Sequence, residues 1–351
     1  MIGLRIPASV KLTRAVQRTR RYFTGRALIL LYHRVANAES DPWQLAVTPE
    51  HLEEHLQFLT RHYSVIPLKE LSKNLEDRRL KRRSVVVTFD DGYADNLLNA
   101  KPLLEKYDVP ATVFVATGYI EQDREFWWDE LDRVLIQPGK LPSVLTLEVN
   151  GRQRDWDLGG GCNYDETCFK RNRQWRASQV DEPTPRHSVY RSLWQLMYSM
   201  SETERLRVRG DLLAWAGATT SARKTHRALT CEQIIELERG GLIEVGSHTI
   251  THPQLSSLSA ELQREEIKLS KHRLEEIVGH PVAGFAYPYG RECDYTRETL
   301  SLVRESSFDY ACTTTAAAVK QGEDRFQLPR IPVQDIDGES FARCVSESFD
   351  R

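Results

Sequence analysis

Two aspartates stand side by side where the apolar, β-branched run of VVVTFDDGYADN (85–96) ends. Adjacent carboxylates repel, and burying them unpartnered is costly. A divalent cation offsets that repulsion. Further marks accompany the pair: SHTITH carries His248 and His252, YPYG carries Tyr289, and LYHRV carries His33. Two imidazoles and a carboxylate are an ordinary ligand set for a catalytic divalent metal, leaving positions for water and substrate. Neighbouring side chains on an extended segment point different ways, so one aspartate can bind metal while the other stays free as a base. A lone Asp-Asp pair is more often a turn or a helix cap. Histidines four apart are more often coincidence or a helix face, but these two follow a strand-like run and precede Pro253.

The elements that must position these groups are short apolar runs separated by helical stretches. ALILLYHRV (27–35), SVVVTFDD (84–91), ATVFVAT (111–117), LIEVGSHT (242–249), VAGFAYPYG (282–290), YACTT (310–314) and FQLPRIPV (326–333) read as strands. Residues 48–62, 96–107, 230–241 and 259–279 read as helices, the first with Thr48 as cap and Pro49 in its opening turn. Strand–helix alternation implies parallel crossovers. The reading is an α/β fold, a distorted (β/α) barrel of about seven or eight strands, with an open doubly wound sheet as the other arrangement. In a barrel, loops after the strand C-termini form the active face, and each of the four marks follows its own strand. The barrel is assigned to 27–119 and 229–340. Residues 120–228 form a largely helical insertion, with helices expected at 187–200 and 201–217, packed on the barrel as a cap or subdomain.

The 351 residues are 40% apolar and 28% charged, with a net charge of −2. That composition suits a soluble globular protein and argues against a general nucleic-acid binder. No apolar run is long enough to span a bilayer, and the N-terminus lacks the apolar core of a secretion signal. The basic segment 1–26 holds VKLTRAVQRTRRYF (10–23), which reads either as a solvated helix or as an amphipathic helix on an anionic membrane surface. The expected location is cytoplasmic, with peripheral contact at the inner membrane face. Six cysteines at 162, 168, 231, 293, 312 and 344 form no C-x-x-C pair and read as reduced thiols.

TFDDGYADN, SHTITH and FAYPYG resemble the first three motifs of the polysaccharide deacetylases (carbohydrate esterase family 4), from about 27 to 120 and again from about 229 to 335. The subgroup it resembles has an N-terminal Y-H strand and a long insert before the second motif. The resemblance implies metal-dependent removal of N-acetyl groups from amino sugars. It implies Asp90 as general base, Asp91, His248 and His252 as ligands of one divalent ion, zinc before cobalt, nickel or iron, and the Tyr289 amide in the oxyanion site. Two positions depart from the family pattern. Ala286 stands where many members have arginine, and LPRIPV puts Arg330 where the last motif supplies a histidine acid. Guanidinium is a poor proton donor at neutral pH, so His33 of LLYHRV takes the acid role by analogy with the Y-H relatives.

Tyr93, Trp127, Trp128 and Arg330 are the expected substrate contacts, with Trp127 or Trp128 alternatively anchoring the insertion. Trp175, Trp194 and Trp215 read as core. The expected partner is an N-acetylhexosamine glycan, free or lipid-linked. Two rival readings differ in class. One is a catalytically impaired glycan-binding relative that has lost its acid. The other is a zinc peptidase built on HLEEH (51–55), an H-x-x-E-H pattern.

Overall fold

Strands buried on both faces need near-continuous apolar runs, and the chain supplies them in sequence. In the computed structural model, which describes residues 25–350, β1 (Arg26–Tyr32), β2 (Ser84–Phe89), β3 (Ala111–Val115), β4 (Ile243–Ser247), β5 (Gly284–Ala286) and β6 (Tyr310–Cys312) pair in parallel in chain order. β7 (Ile331–Pro332) runs parallel to β1. The residues before it reach the other edge: the Leu328 N–H donates to Ala311 at 2.9 Å, and its carbonyl accepts from Thr313 at 2.9 Å. The two edges meet there, so the sheet curls into a distorted (β/α) barrel. A doubly wound sheet would reverse its strand order at a switch point; this order never reverses.

Helices α1 (Pro49–His62), α2 (Leu68–Glu76) and α3 (Lys101–Tyr107) precede the insertion. Within the insertion lie α4 (Trp127–Leu131), α5 (Glu166–Asn172), α6 (Pro185–Tyr198) and α7 (Glu202–Ala216). The chain then returns through α8 (Cys231–Glu238), α9 (Ala260–Val278), α10 (Arg297–Glu305) and α11 (Gly338–Asp350). Alternate strand residues such as Leu28, Leu30, Val85 and Val87 share a core with Leu52, Leu56 and Leu59 of α1. Their neighbours Ala27, Ile29 and Val86 share a second core with Phe114 and with Leu68, Leu71 and Leu75 of α2. The insertion has a core of its own, containing Trp127, Leu193 and Leu212.

The insertion is less helical than its composition suggests. Val144–Val149 and Arg152–Asp157 form an antiparallel hairpin. Its turn is Asn150-Gly151, both at positive φ, the residue pair that a tight hairpin favours. The alternation in VLTLEV, buried at every second residue, was the available signal. All six cysteines are free thiols. The basic stretch 10–23 lies outside the described residues.

The Phe114 ring fills space that two glycines leave. A methyl group at Gly246 would run into it, and one at Gly284 would stand 2.6 Å from the Tyr310 ring. Gly246→Ala should therefore destabilise the fold by about 1–3 kcal/mol through overpacking. Adding Phe114→Leu should recover part of that loss in urea denaturation, whereas additive losses would contradict the packing account.

Candidate metal centre and active site

All four sequence marks sit where a strand gives way to a loop on one face of the barrel. Directly after β2, Asp91 takes φ +71° and Gly92 φ +80°, which turns the chain sharply. The peptides on either side are pinned: the Asp90 N–H donates to Tyr32, and the Asp91 carbonyl accepts from Ala116. After β4, the His248 N–H donates to Val115 at 3.0 Å. Thr249 and His252 again have positive φ, +66° and +55°, as does Tyr289 after β5 at +59°. Such conformations cost a non-glycine residue roughly 1–3 kcal/mol each and persist where surroundings over-determine them. Four of them gather at this one site.

Asp91, His248 and His252 offer ligand atoms that all lie within 4.8 Å of one another, the one such group among the described residues. Asp91 Oδ1 is 3.6 Å from His248 Nε2 and 3.4 Å from His252 Nε2. Ligands about 2.0–2.2 Å from a tetrahedral zinc stand roughly 3.4 Å apart. His248 Nδ1 lies 2.8 Å from the Ala286 carbonyl. A carbonyl only accepts, so Nδ1 carries the proton and Nε2 presents a lone pair. Asp91 Oδ1 is buried without a hydrogen-bond partner. Burial, then the Asp90 charge, pushes Asp91 well above the usual carboxylate range. Burial also lowers both imidazoles, His252 further than His248. Facing acceptors that shed protons while a carboxylate seeks one fit a cation at their shared point.

Asp90 is compensated differently. Arg330 Nη1 and Nη2 donate to Asp90 Oδ1 and Oδ2 at 2.7 and 2.6 Å, a fork-on-fork pair. Arg330 Nε donates to Thr313 at 2.8 Å, and the guanidinium lies 5.6 Å from the Phe114 ring centre. Burial pushes Asp90 up, but the Arg330 charge and then His248 outweigh it, and the carboxyl stays below its ordinary range. Arg330 is fully buried, so it serves Asp90 from inside the barrel and cannot contact substrate as expected.

His33 lines a cavity of about 270 Å³ together with Asp90, Asp91, His248, His252 and Tyr289. Its backbone is held by the first motif, because Asn96 Nδ2 donates to the His33 carbonyl at 2.8 Å. Asp95 meanwhile accepts from Arg34 Nε at 3.1 Å and from the Val35 N–H at 3.0 Å. Burial lowers the His33 pKa to about 4, with Asp90 opposing and Arg330 assisting. The Tyr289 carbonyl accepts from Thr314 Oγ1 at 2.6 Å.

Two further expected substrate contacts are buried instead. Tyr93 is wholly inaccessible; its hydroxyl donates to Asp129 at 2.7 Å and accepts from Trp128 Nε1 at 2.9 Å. Trp127 lies in the insertion core against Trp194 and Arg205. Trp128 does reach the cavity, its ring edge-on to His252 at 4.9 Å. Trp194, read as core, lines the cavity with Trp43, which the sequence did not single out. Glu266 of α9 was also missed. Its carboxylate accepts from the N–H groups of Ile250 and Thr251 and from the Thr251 hydroxyl, at 2.7–2.9 Å, and so holds the loop bearing both histidines. No local motif marks it, because the contact spans a loop and a helix. The HLEEH residues serve the C-terminal segment: His51 pairs with Asp335, Glu54 accepts from the Gly338 N–H, and His55 is buried against Ile336 and Phe341. They do not converge on a shared point, which contradicts the peptidase reading.

The family described as polysaccharide deacetylase matches residues 77–138 and 216–311, with the break inside the insertion. A Bacillus subtilis protein named for polysaccharide deacetylase, YxkH, is 22% identical over 320 residues, which are 90% of this chain and 75% of that one. The poly-β-1,6-N-acetyl-D-glucosamine N-deacetylase of Staphylococcus epidermidis is 33% identical over 115 residues; the match is 28% of this chain and 39% of that protein. Among solved structures, the Streptococcus pyogenes deacetylase PplD in complex with acetate superposes with TM-score 0.57 at 19% identity, covering 93% of this chain and all of that one. IcaB from Ammonifex degensii gives TM-score 0.57 at 18% identity over 93% of this chain and 97% of its own. At these identities the structures speak for the barrel fold alone.

Removing one partner of a buried ion pair leaves an uncompensated charge. Arg330→Met should cost about 3–5 kcal/mol in chemical denaturation of the metal-free protein. The double variant Arg330→Met/Asp90→Asn should recover most of that loss. Equal stability of the single and double variants would contradict the pairing.

Proposed function

We propose, from the premise that this chain belongs to the polysaccharide deacetylase family, that it hydrolyses the N-acetyl amide of an amino sugar in a polysaccharide or lipid-linked glycan. The observation that carries the reading is the convergence of Asp91, His248 and His252 beside an arginine-clamped Asp90. Asp91 Oδ1 and the two Nε2 atoms would hold one divalent ion. Zinc is the first choice, and cobalt, nickel or iron also suit the donor set. When bound, such an ion polarises a carbonyl and acidifies water.

The chain's own residues supply the rest. Asp90, kept ionised by Arg330, accepts a hydrogen bond from the attacking water, orients it and takes its proton. Both its oxygens already face Arg330, so its aim is fixed before substrate arrives. The Tyr289 N–H donates to the oxygen of the tetrahedral intermediate, a contribution of about 3 kcal/mol for a well-placed donor. His33 donates a proton to the departing nitrogen, because expulsion of an unprotonated amide anion is prohibitive. Burial makes protonated His33 a stronger acid than free imidazolium and a scarcer one; the Asp90 charge works against the scarcity. The products are acetate and a free amine. The impaired-relative reading loses its motive once His33, standing in the cavity wall, can replace the missing acid.

Acetate release from poly-N-acetylglucosamine and lipid-linked N-acetylhexosamines, with metal titration in parallel, checks these roles. Asp91→Asn should abolish both metal binding and activity. His33→Ala should retain metal and lower kcat by about 10²–10⁴-fold with little change in KM. His51→Ala should behave as wild type. Metal bound at full affinity by Asp91→Asn, or wild-type turnover by His33→Ala, would refute the corresponding assignment.

A further inference from the structure

We infer that the insertion converts the mouth of the barrel into a pocket for a single N-acylated amino-sugar unit, with the packed pair Trp194–Trp43 as its apolar wall and a determinant of specificity; this rests on the deacetylase reading. Val189, Tyr190, Leu193 and Met197 face the insertion core. Trp194 and Tyr198 are four residues apart, so they share the adjoining helix face, and both line the cavity. Their rings stack at 5.0 Å and 29°. Trp43, on the loop that follows His33, packs directly on Trp194, their ring centres 4.2 Å apart, and extends the same wall. Trp128 and Tyr289 complete an aromatic wall above a floor of Asp90, Asp91, His248 and His252.

The wall is held in place. Tyr198 hydrogen-bonds Asp294, and Arg205 of α7 donates to the Thr251 carbonyl in the histidine loop at 3.3 Å. An aromatic wall offers apolar surface and few hydrogen bonds, so it suits the C–H groups of a pyranose and the acyl methyl rather than the hydroxyls. At about 270 Å³ the cavity lies below the ~300–1,000 Å³ typical of drug-sized ligand sites. That space admits one sugar ring with its acyl group. Neighbouring sugars of a chain would lie outside it, so affinity should depend on the unit in the pocket and little on chain length.

The test is calorimetric binding to the full chain, with metal removed by chelation so that nothing is hydrolysed. The probes are the methyl glycoside of N-acetylglucosamine and its oligomers of increasing length. Affinity should level off after the first one or two units. Trp194→Ala and Trp43→Ala should each weaken binding about tenfold or more, about 1.4 kcal/mol, and Trp194→Phe should restore most of it. Affinity that climbs with every added sugar, or unchanged binding by a folded Trp194→Ala, would overturn the inference. The length series uses the unaltered chain, so it decides the matter even if a variant fails to fold. Acetate release is measured separately. Activity with Trp194-independent binding would sink this inference alone, and Trp194-dependent binding without acetate release would sink the deacetylase reading alone.

Discussion

Two adjacent buried carboxylates cannot both stay charged without separate counter-charges, and the barrel supplies one for each. Asp90 receives a guanidinium from below, through Arg330. Asp91 faces the Nε2 atoms of two imidazoles, that of His248 presenting a lone pair, an arrangement a cation completes. This division gives the two aspartates different chemistry despite their adjacency. The first is an anion fixed in aim, and the second is a carboxyl placed where a cation shared with the two imidazoles would take it as a ligand. Each terminal arginine nitrogen lies within reach of one Asp90 oxygen, a match a lysine could not make. Ala286 contributes no cation to the barrel interior from its strand. Arg330, arriving on the segment that joins the two sheet edges, provides it.

The rest of the face serves this arrangement. Left-handed backbone at Asp91, Thr249, His252 and Tyr289 is unfavourable locally, and surrounding bonds hold it. Glu266 ties the histidine loop to α9. Asn96 and Asp95 tie the His33 segment to the first motif. The chain leaving the insertion pairs with the aspartate loop, where the Leu229 N–H donates to Gly92 and the Ala94 N–H to Arg227. The insertion is therefore coupled to the site at both its wall and its exit.

How much was legible depended on the range of the interaction. Strands of continuous Val, Ile and Leu declared themselves, because a parallel strand buried on both faces leaves little room for polar residues. Asp91, His248 and His252 could be grouped because all three follow a strand, and parallel strands put their C-termini on one face. Arg330 was found but misplaced: a sequence does not say whether a charged residue near a strand end points into the barrel or out of it. Tyr93 and Trp127 were misjudged for the same reason, since aromatic residues beside a site serve packing as readily as binding. Trp194 and Glu266 act across elements far apart in the chain, and no local spacing encodes that. The Asn150-Gly151 hairpin was legible and overlooked under the helical reading of its surroundings.

The central claim is that one ion is held by one carboxylate and two imidazoles. X-ray absorption on the zinc-loaded protein measures that shell directly. Two imidazole nitrogens at about 2.0–2.1 Å with oxygen neighbours at about 2.0–2.2 Å, and loss of one imidazole signal in His248→Ala, are the predicted result. A shell containing sulfur, a shell of oxygen alone, or a spectrum untouched by that substitution would contradict it.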